Sequence, residues 1–245
     1  MEYITSSDFH FKDTAVALGK FEGIHRGHQL LMDEVKKQEL HGLRSVVFTF
    51  DRPTRLTLTG DTEYKQIYTK KERREILEKR GIDILIEHPF TKEFAALTPD
   101  RFIREVLVEK VGAKVIVVGT DFHFGKNRSG SITDLEKLEE ECGYHLIVVE
   151  KLQLNGKDIS STRIRASLEK GAMEEAKALL GRNYSVSGEI LHGNALGRTI
   201  QVPTINQQVT SFKLLPPNGV YVSKIHWKDE VYYGITNIGT KPTVN

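Results

Sequence analysis

The chain holds one cysteine in 245 residues, Cys142, so it can form no internal disulfide, and a cytoplasmic, reducing setting is expected. Cys142 closes an acidic stretch with no activating base beside it, and reads as a packing residue rather than a nucleophile. Neither sign of charge dominates: 35 basic against 33 acidic side chains leave a net +2. Nothing global therefore selects nucleic acid or an anionic membrane as partner, and any basic site must be local. The segment Met1-Glu2-Tyr3-Ile4-Thr5 has neither the basic nor the apolar part of an export signal. No apolar run approaches the roughly 18 residues of a membrane span. Internal repeats and low-complexity tracts are missing, and so are the phosphate-loop patterns G-x-x-x-x-G-K-[ST] and G-x-G-x-x-G.

The composition that remains is that of an ordinary globular protein, 39% hydrophobic and 28% charged, long enough for one large domain or two smaller ones. Short, nearly unbroken apolar runs occur at Ala15–Leu18, Ser45–Phe50, Ile82–Ile86, Val115–Val118 and Leu146–Val149. Such runs suit parallel strands covered on both faces. Helical patterns lie between them at Gln29–Leu40, Lys70–Arg80, Pro99–Val111 and Thr133–Glu141, with starts at Thr98-Pro99 and Ser131/Thr133. Gly81, Gly112 and Gly143 stand where stops belong. The alternation predicts an α/β fold, a Rossmann-like doubly wound parallel sheet whose ligands bind beyond the carboxyl ends of the strands. Gly19, Phe50 and Gly119 fall at such ends, so the segments after them should line one crevice.

Two further helices, about Thr162–Lys170 and Met173–Leu180, lead to a change of texture near Gly181-Arg182-Asn183. Period-two alternation in Tyr184–Ile190, Val220–Ile225 and Val231–Ile238, with turns at Asn218-Gly219 and Lys228-Asp229, predicts a smaller antiparallel β-barrel domain. The expected domains are 1–182 and 183–245.

The densest chemistry lies in Gly19-Lys20-Phe21-Glu22-Gly23-Ile24-His25-Arg26-Gly27-His28, between the first strand and the first helix. Glycines let a backbone approach a phosphate closely. A helix N-terminus offers unpaired N–H groups and a positive dipole end. His25 and His28 add donors where charge builds up as a phosphoanhydride breaks. Either histidine alone would more often be a cap or a solvated residue, but two of them in a glycine-rich turn point to catalysis. The H-x-G-H pattern resembles the signature of the nucleotidyltransferase superfamily.

Ser160-Ser161-Thr162-Arg163-Ile164-Arg165 is a second anion signal: hydroxyls that can cap a helix or donate to phosphate, followed by two forked cations. With the first loop it could clamp a triphosphate, and with no candidate nucleophile the pair suggests direct in-line transfer. A third segment, Val117-Val118-Gly119-Thr120-Asp121-Phe122-His123-Phe124-Gly125, sets a carboxylate and two phenylalanines at the ligand edge. The phenylalanines suit either core anchors or walls for a planar ring. Thr49-Phe50-Asp51-Arg52-Pro53 offers another aromatic there.

The ordered set G-x-F-[DE]-G-[IV]-H-x-G-H, T-F-x-x-P, V-G-x-D-F-x-F-G and I-S-S-T-x-I-R resembles the prokaryotic bifunctional riboflavin kinase/FMN adenylyltransferase family. His192–Thr199, Pro203-Thr204-Ile205-Asn206, Pro217–Tyr221 and Asn237-Ile238-Gly239 resemble its kinase module. The resemblance implies that the first domain moves AMP from ATP to FMN, giving FAD and pyrophosphate, and that the second phosphorylates riboflavin. It implies that His25, His28 and Arg163 are catalytic. Gly19, Phe21, Gly23, Ser161, Thr162 and Arg165 would join them in holding ATP, with Phe50, Asp121, Phe122 and Phe124 toward the flavin. In the kinase module Gly193, Gly197 and Arg198 would fold over the nucleotide, and Thr204 and Asn206 would hold Mg²⁺ and a phosphate. The implied partners are ATP, FMN and riboflavin, with no nucleic acid or membrane and with self-association left open.

Some positions depart from the family pattern. Glu22 stands for the usual aspartate, one methylene longer, with little harm expected. Gln201-Val202-Pro203-Thr204-Ile205-Asn206 replaces G-F-P-T-A-N, so Ile205 adds bulk beside the implied metal site. The sequence ends at Lys241-Pro242-Thr243-Val244-Asn245, inside the barrel by the family pattern, and without the family's general base weakened kinase activity is expected. Two other readings remain open, another adenylyl- or cytidylyltransferase of the superfamily and a nucleotide- or flavin-binding module without catalysis.

Overall fold

The computed structural model describes residues 1–54, 57, 60, 61, 63–191 and 204–239. Its centre is a six-stranded, wholly parallel sheet of β1 (Glu2–Ile4), β2 (Thr14–Leu18), β3 (Arg44–Phe50), β4 (Ile84–His88), β5 (Ala113–Gly119) and β6 (His145–Val149), in the order β1-β4-β3-β2-β5-β6. The chain winds outward from β2 to β4, then returns to β5 on the other side of β2. The strand order therefore reverses between β2 and β5, the switch point at which sheets of this kind bind ligands.

Alternating side chains of the buried strands feed two cores. Val16, Leu18, Val46, Phe48, Ile116 and Val118 face Phe102, Ile103, Val106, Leu107 and Leu135 on one side. Ala15, Ala17, Val47, Val115 and Val117 face Leu31, Met32, Val35 and Leu77 on the other. Each of the larger of these side chains, the alanines excepted, contributes about 1.5–3 kcal/mol on burial, which makes the sheet a rigid platform for the loops at its ends.

The helices are α1 (Arg26–Lys37), α2 (Lys70–Lys79), α3 (Lys92–Ala95), α4 (Pro99–Arg101), α5 (Ile132–Cys142), α6 (Ser161–Glu169) and α7 (Met173–Leu180). The Thr69 side chain and Glu72 cap the start of α2 reciprocally, and Ser160 caps α6. The helix read from sequence as Pro99–Val111 is α-helical only over its first turn and continues as a π-helix over Phe102–Lys110. The following Gly112 has φ +66°, and a Cβ there would lie 2.2 Å from the Phe11 carbonyl oxygen, which only glycine avoids.

A short β7 (Gln153–Leu154) and β8 (Lys157–Asp158) pair precedes α6. Among the described residues the remaining strands form two antiparallel pairs, β9 (Glu189–Leu191) with β10 (Asn206–Gln208), and β11 (Gly219–Trp227) with β12 (Glu230–Ile238). β1 carries no sequence signal, because Glu2–Ile4 is only three residues long and partly exposed, too short for a period to show.

Candidate active site

Beyond the end of β2 the chain turns sharply on two buried hydrophobic anchors. Phe21 (φ +45°) and Ile24 (φ +41°) are both fully buried, an uncommon backbone for side chains of this kind. Such conformations cost of order 1–3 kcal/mol each, which burial of the two side chains offsets. The loop is thus clamped by its own apolar residues, and the backbone between them presents a fixed surface.

His25 is the N-cap of α1 and is 93% removed from solvent; its Nδ1 accepts the His28 backbone N–H at 3.2 Å. The His28 ring stacks on it with centroids 3.6 Å apart, and Phe21 meets His28 edge-on at 5.1 Å. The spacing H-x-G-H acquires a physical reason here, since a Cβ on Gly27 would stand 3.3 Å from the His25 ring. Burial, followed by the nearby Arg182 charge, lowers the His25 pKa to about 4. Burial, with His25 and Arg182 beside it, also holds His28 well below its ordinary value. Both imidazoles are therefore neutral at pH 7, and Nδ1 of His28 is a buried atom without a partner among the described residues. Asp121, beyond the end of β5, acts on His25 with the opposite sign, so the loops after β2 and β5 converge at the switch point.

The second anion segment packs against the first. A Cβ on Gly23 would lie 3.5 Å from Cδ1 of Ile164 in α6, and Arg165 pairs with Glu22. Glu22 also accepts from the Tyr64 hydroxyl at 2.8 Å and from the Ile67 N–H at 3.3 Å. Ser161 and Thr162 occupy the first turn of α6, whose leading N–H groups have no partner within the helix. Arg163 is held elsewhere: its guanidinium donates to Glu175 at 2.9 and 3.1 Å and to the carbonyls of Leu154 and Lys157 at 2.9 and 3.2 Å.

Phe50 lies at the end of β3 among aromatics, 4.7 Å from the Phe90 ring. It borders a cleft that Lys20, Arg52, Tyr64, Gln66 and Arg73 also line. This continues into an opening of about 360 Å³ bounded by Asp51, Lys70, Thr210 and Phe212. Phe122 stacks on Phe124 at 5.5 Å, and Phe124 is a core residue resting on Phe102. Asp121 is exposed and bridged to Lys151 at 3.1 Å. In the second region, Thr204 and Asn206 are exposed, while Gly193, Gly197 and Arg198 lie outside the described residues.

Arg182 is marked by no motif in the sequence. Its guanidinium donates to the Gly23 and Ile24 carbonyls, both at 2.9 Å, and so holds the histidine loop from 158 or more positions away. Gln29 adds a second tie, donating to the carbonyls of Ile24 at 2.9 Å and Leu180 at 2.8 Å. No local pattern in the sequence foretells contacts of that range.

A neutral histidine pair at a helix N-terminus, set at the switch point of a doubly wound parallel sheet, defines a protein of the nucleotidyltransferase class. Residues 8–163 match the family model described as FAD synthetase, and residues 180–245 match the one described as riboflavin kinase. The chain belongs to the bifunctional riboflavin kinase/FMN adenylyltransferase family. Its relatives of that description include proteins of Bacillus subtilis (36% identical, covering 94% of this chain and 73% of the relative) and Escherichia coli K12 (34%, 94% and 74%). The relative from Listeria monocytogenes is 34% identical, with 96% and 75% covered. A crystal structure described as a macrolide-efflux protein from Streptococcus pneumoniae superposes with a TM-score of 0.87 at 30% identity, covering 98% of this chain and 79% of that one.

Proposed function

We propose that the chain makes FAD, transferring AMP from ATP to FMN at the histidine loop. The observation that carries this reading is the stacked pair His25/His28 on a loop whose backbone is locked by Phe21, Ile24 and Arg182. In the reaction a terminal phosphate oxygen of FMN attacks the α-phosphorus of ATP, and the bond to the bridging oxygen breaks so that pyrophosphate leaves. No covalent enzyme intermediate is needed. Catalysis consists of positioning and of donors aimed at the charge that develops.

His25 accepts at Nδ1, which puts its proton on Nε2, available to a phosphate oxygen. Ser161, Thr162 and the first turn of α6 would receive the β- and γ-phosphates, next to the loop against which α6 packs. Phe50 and the cleft at the end of β3 would receive the flavin, with Phe122 and Asp121 nearer the β5 loop. Arg163 and Arg165, both paired within the protein, would serve by fixing α6 to its neighbours, with any phosphate contact requiring exchange of those partners.

The second region would phosphorylate riboflavin from ATP. Thr204 and Asn206 are exposed oxygen donors, a set suited to a hard cation such as Mg²⁺ that retains water and phosphate ligands. The ion would supply charge neutralisation for the transferred phosphate.

The test is a chromatographic assay of the purified chain with ATP and Mg²⁺, run separately with FMN and with riboflavin. FAD and pyrophosphate from FMN are expected in equal amounts. Tight flavin binding without product would favour a binding module instead. FMN formed from riboflavin reports on the second region independently.

A further inference from the structure

The stretch matched by the riboflavin kinase model reaches the histidine loop of the other region through Arg182, and a second buried cation of that stretch, Lys213, shares the Tyr68 ring with it. Residues near 212–214 dock beside those at 66–67: the Gln66 N–H donates to the Phe212 carbonyl at 2.6 Å, and the Leu214 N–H to the Gln66 carbonyl at 2.8 Å. Between these bonds the Lys213 side chain turns inward and is fully buried. Its ammonium donates to the Ile67 carbonyl and to Glu72 Oε2, both at 2.7 Å. It also lies 4.5 Å from the ring centroid of Tyr68 and 4.4 Å from that of Tyr184.

Most groups around this cation have further partners. Glu72 accepts from the Thr69 N–H that it caps and from the backbone and hydroxyl of Ser187, at 2.8, 2.9 and 3.0 Å. The Tyr184 hydroxyl donates to the Ile67 carbonyl at 2.9 Å. Tyr68 is touched by a second cation, the Arg182 guanidinium, 5.0 Å from its centroid. Arg182 in turn holds the Gly23 and Ile24 carbonyls, the residues that precede His25. A cation is drawn to an aromatic face, more strongly when both are desolvated, so the ring fixes both side chains, not only the volume they fill.

We propose that Lys213 is a positioning residue for the histidine loop, acting through Tyr68 and Arg182 on the carbonyls of Gly23 and Ile24. The C-terminal stretch thereby sets the placement of His25 and His28. This rests on the reading of that loop as the ATP-phosphate site, but its geometry does not depend on the reaction.

The experiment compares the full chain with Lys213→Met, Lys213→Arg and Tyr68→Leu by amide hydrogen exchange without substrate, and by adenylyl transfer kinetics. Lys213→Met should speed exchange across 21–25 while the amides of β2, β3 and β5 keep their protection, and should lower kcat/KM for ATP about tenfold. Lys213→Arg keeps a charge for Glu72 and the rings, and should restore both within about threefold. Faster exchange confined to 66–68 and 210–214, with 21–25 and the KM for ATP unchanged, would mean that Lys213 only fastens its own segment, and the proposal would be overturned. Should Lys213→Met fail to fold, Tyr68→Leu decides: it removes the ring shared by the cations, and unchanged protection at 21–25 is again the overturning result. A wild-type chain that makes no FAD would sink the functional reading alone, because the exchange data still decide the coupling.

Discussion

Nδ1 of His25 accepts the backbone N–H of His28 at 3.2 Å while the two rings lie nearly parallel, 16° apart, at 3.6 Å. One bond thus does two things. It caps α1, and it fixes the tautomer of His25 so that the remaining N–H faces away from the helix. The stacking adds a restriction on charge, because two imidazolium rings at that separation repel each other strongly. The pair is built to donate while neutral, as suits a site whose incoming ligand brings several negative charges.

Substituting His28 by alanine should therefore remove a donor needed as the α-phosphorus is attacked, with little effect on the cleft near Phe50. The expected result is a loss of about 10²–10³ in kcat, the range for one lost donor at developing charge. Flavin affinity, read by fluorescence quenching, should stay within about threefold. A parallel collapse of flavin binding would show that His28 supports the fold of the whole crevice rather than the reaction.

The low pKa of His25 makes a stability prediction with a definite sign. In the unfolded chain the ring binds a proton below about pH 6.5, and in the folded one only below about 4. Between those values the unfolded state carries the extra proton, so stability falls as the solution is acidified. The shift corresponds to about 3 kcal/mol for this residue. His25→Asn keeps an N-cap acceptor but does not titrate. Urea unfolding at pH 7 and pH 4.5 should give a smaller pH difference for the variant than for the wild type. Equal differences would place the acid sensitivity in other groups.

Arg163 already has partners within the protein. Its guanidinium ties α6 to Glu175 and to the β7–β8 turn, through the carbonyls of Leu154 and Lys157. Arg163→Met leaves those acceptors without a charged donor, and should lower stability by about 1–3 kcal/mol, measured by urea unfolding. If its principal partner is instead a phosphate of ATP, the variant would keep its stability and lose ATP affinity.

Much of this was legible in the sequence because it is local. The buried strands announced themselves as unbroken apolar runs, and Gly81, Gly112 and Gly143 ended helices as their positive φ demands. The histidine loop was readable for the same reason: its glycines, its cap and its rings act over a few residues. The partners of charged side chains were not readable. Arg163, Arg165, Arg182 and Lys213 each find a partner fixed by tertiary packing, and nothing in R-x-R or in an isolated lysine says which carboxylate or carbonyl will face it. Phe124 illustrates the same limit for aromatics, since its sequence context suits a ligand wall and a core anchor equally, and the structure sets it on Phe102.

Glu22, one methylene longer than an aspartate, serves three partners at once. The carboxylate meets Arg165, the Tyr64 hydroxyl and the Ile67 N–H, and burial together with Glu22 pushes the Tyr64 hydroxyl up to about 12. The Glu22 and Arg165 side chains are each only 18% exposed, so their attraction is less screened than that of a surface pair. Removing one partner strands the other. Glu22→Gln and Arg165→Met should each destabilise the chain by about 1–3 kcal/mol, and the double variant by less than the sum. A double-mutant cycle in urea should give a coupling of about 1 kcal/mol or more. Strict additivity would mean that the two side chains contribute separately, Glu22 through Tyr64 and Ile67 and Arg165 through the Tyr64 ring beneath it, 4.2 Å away.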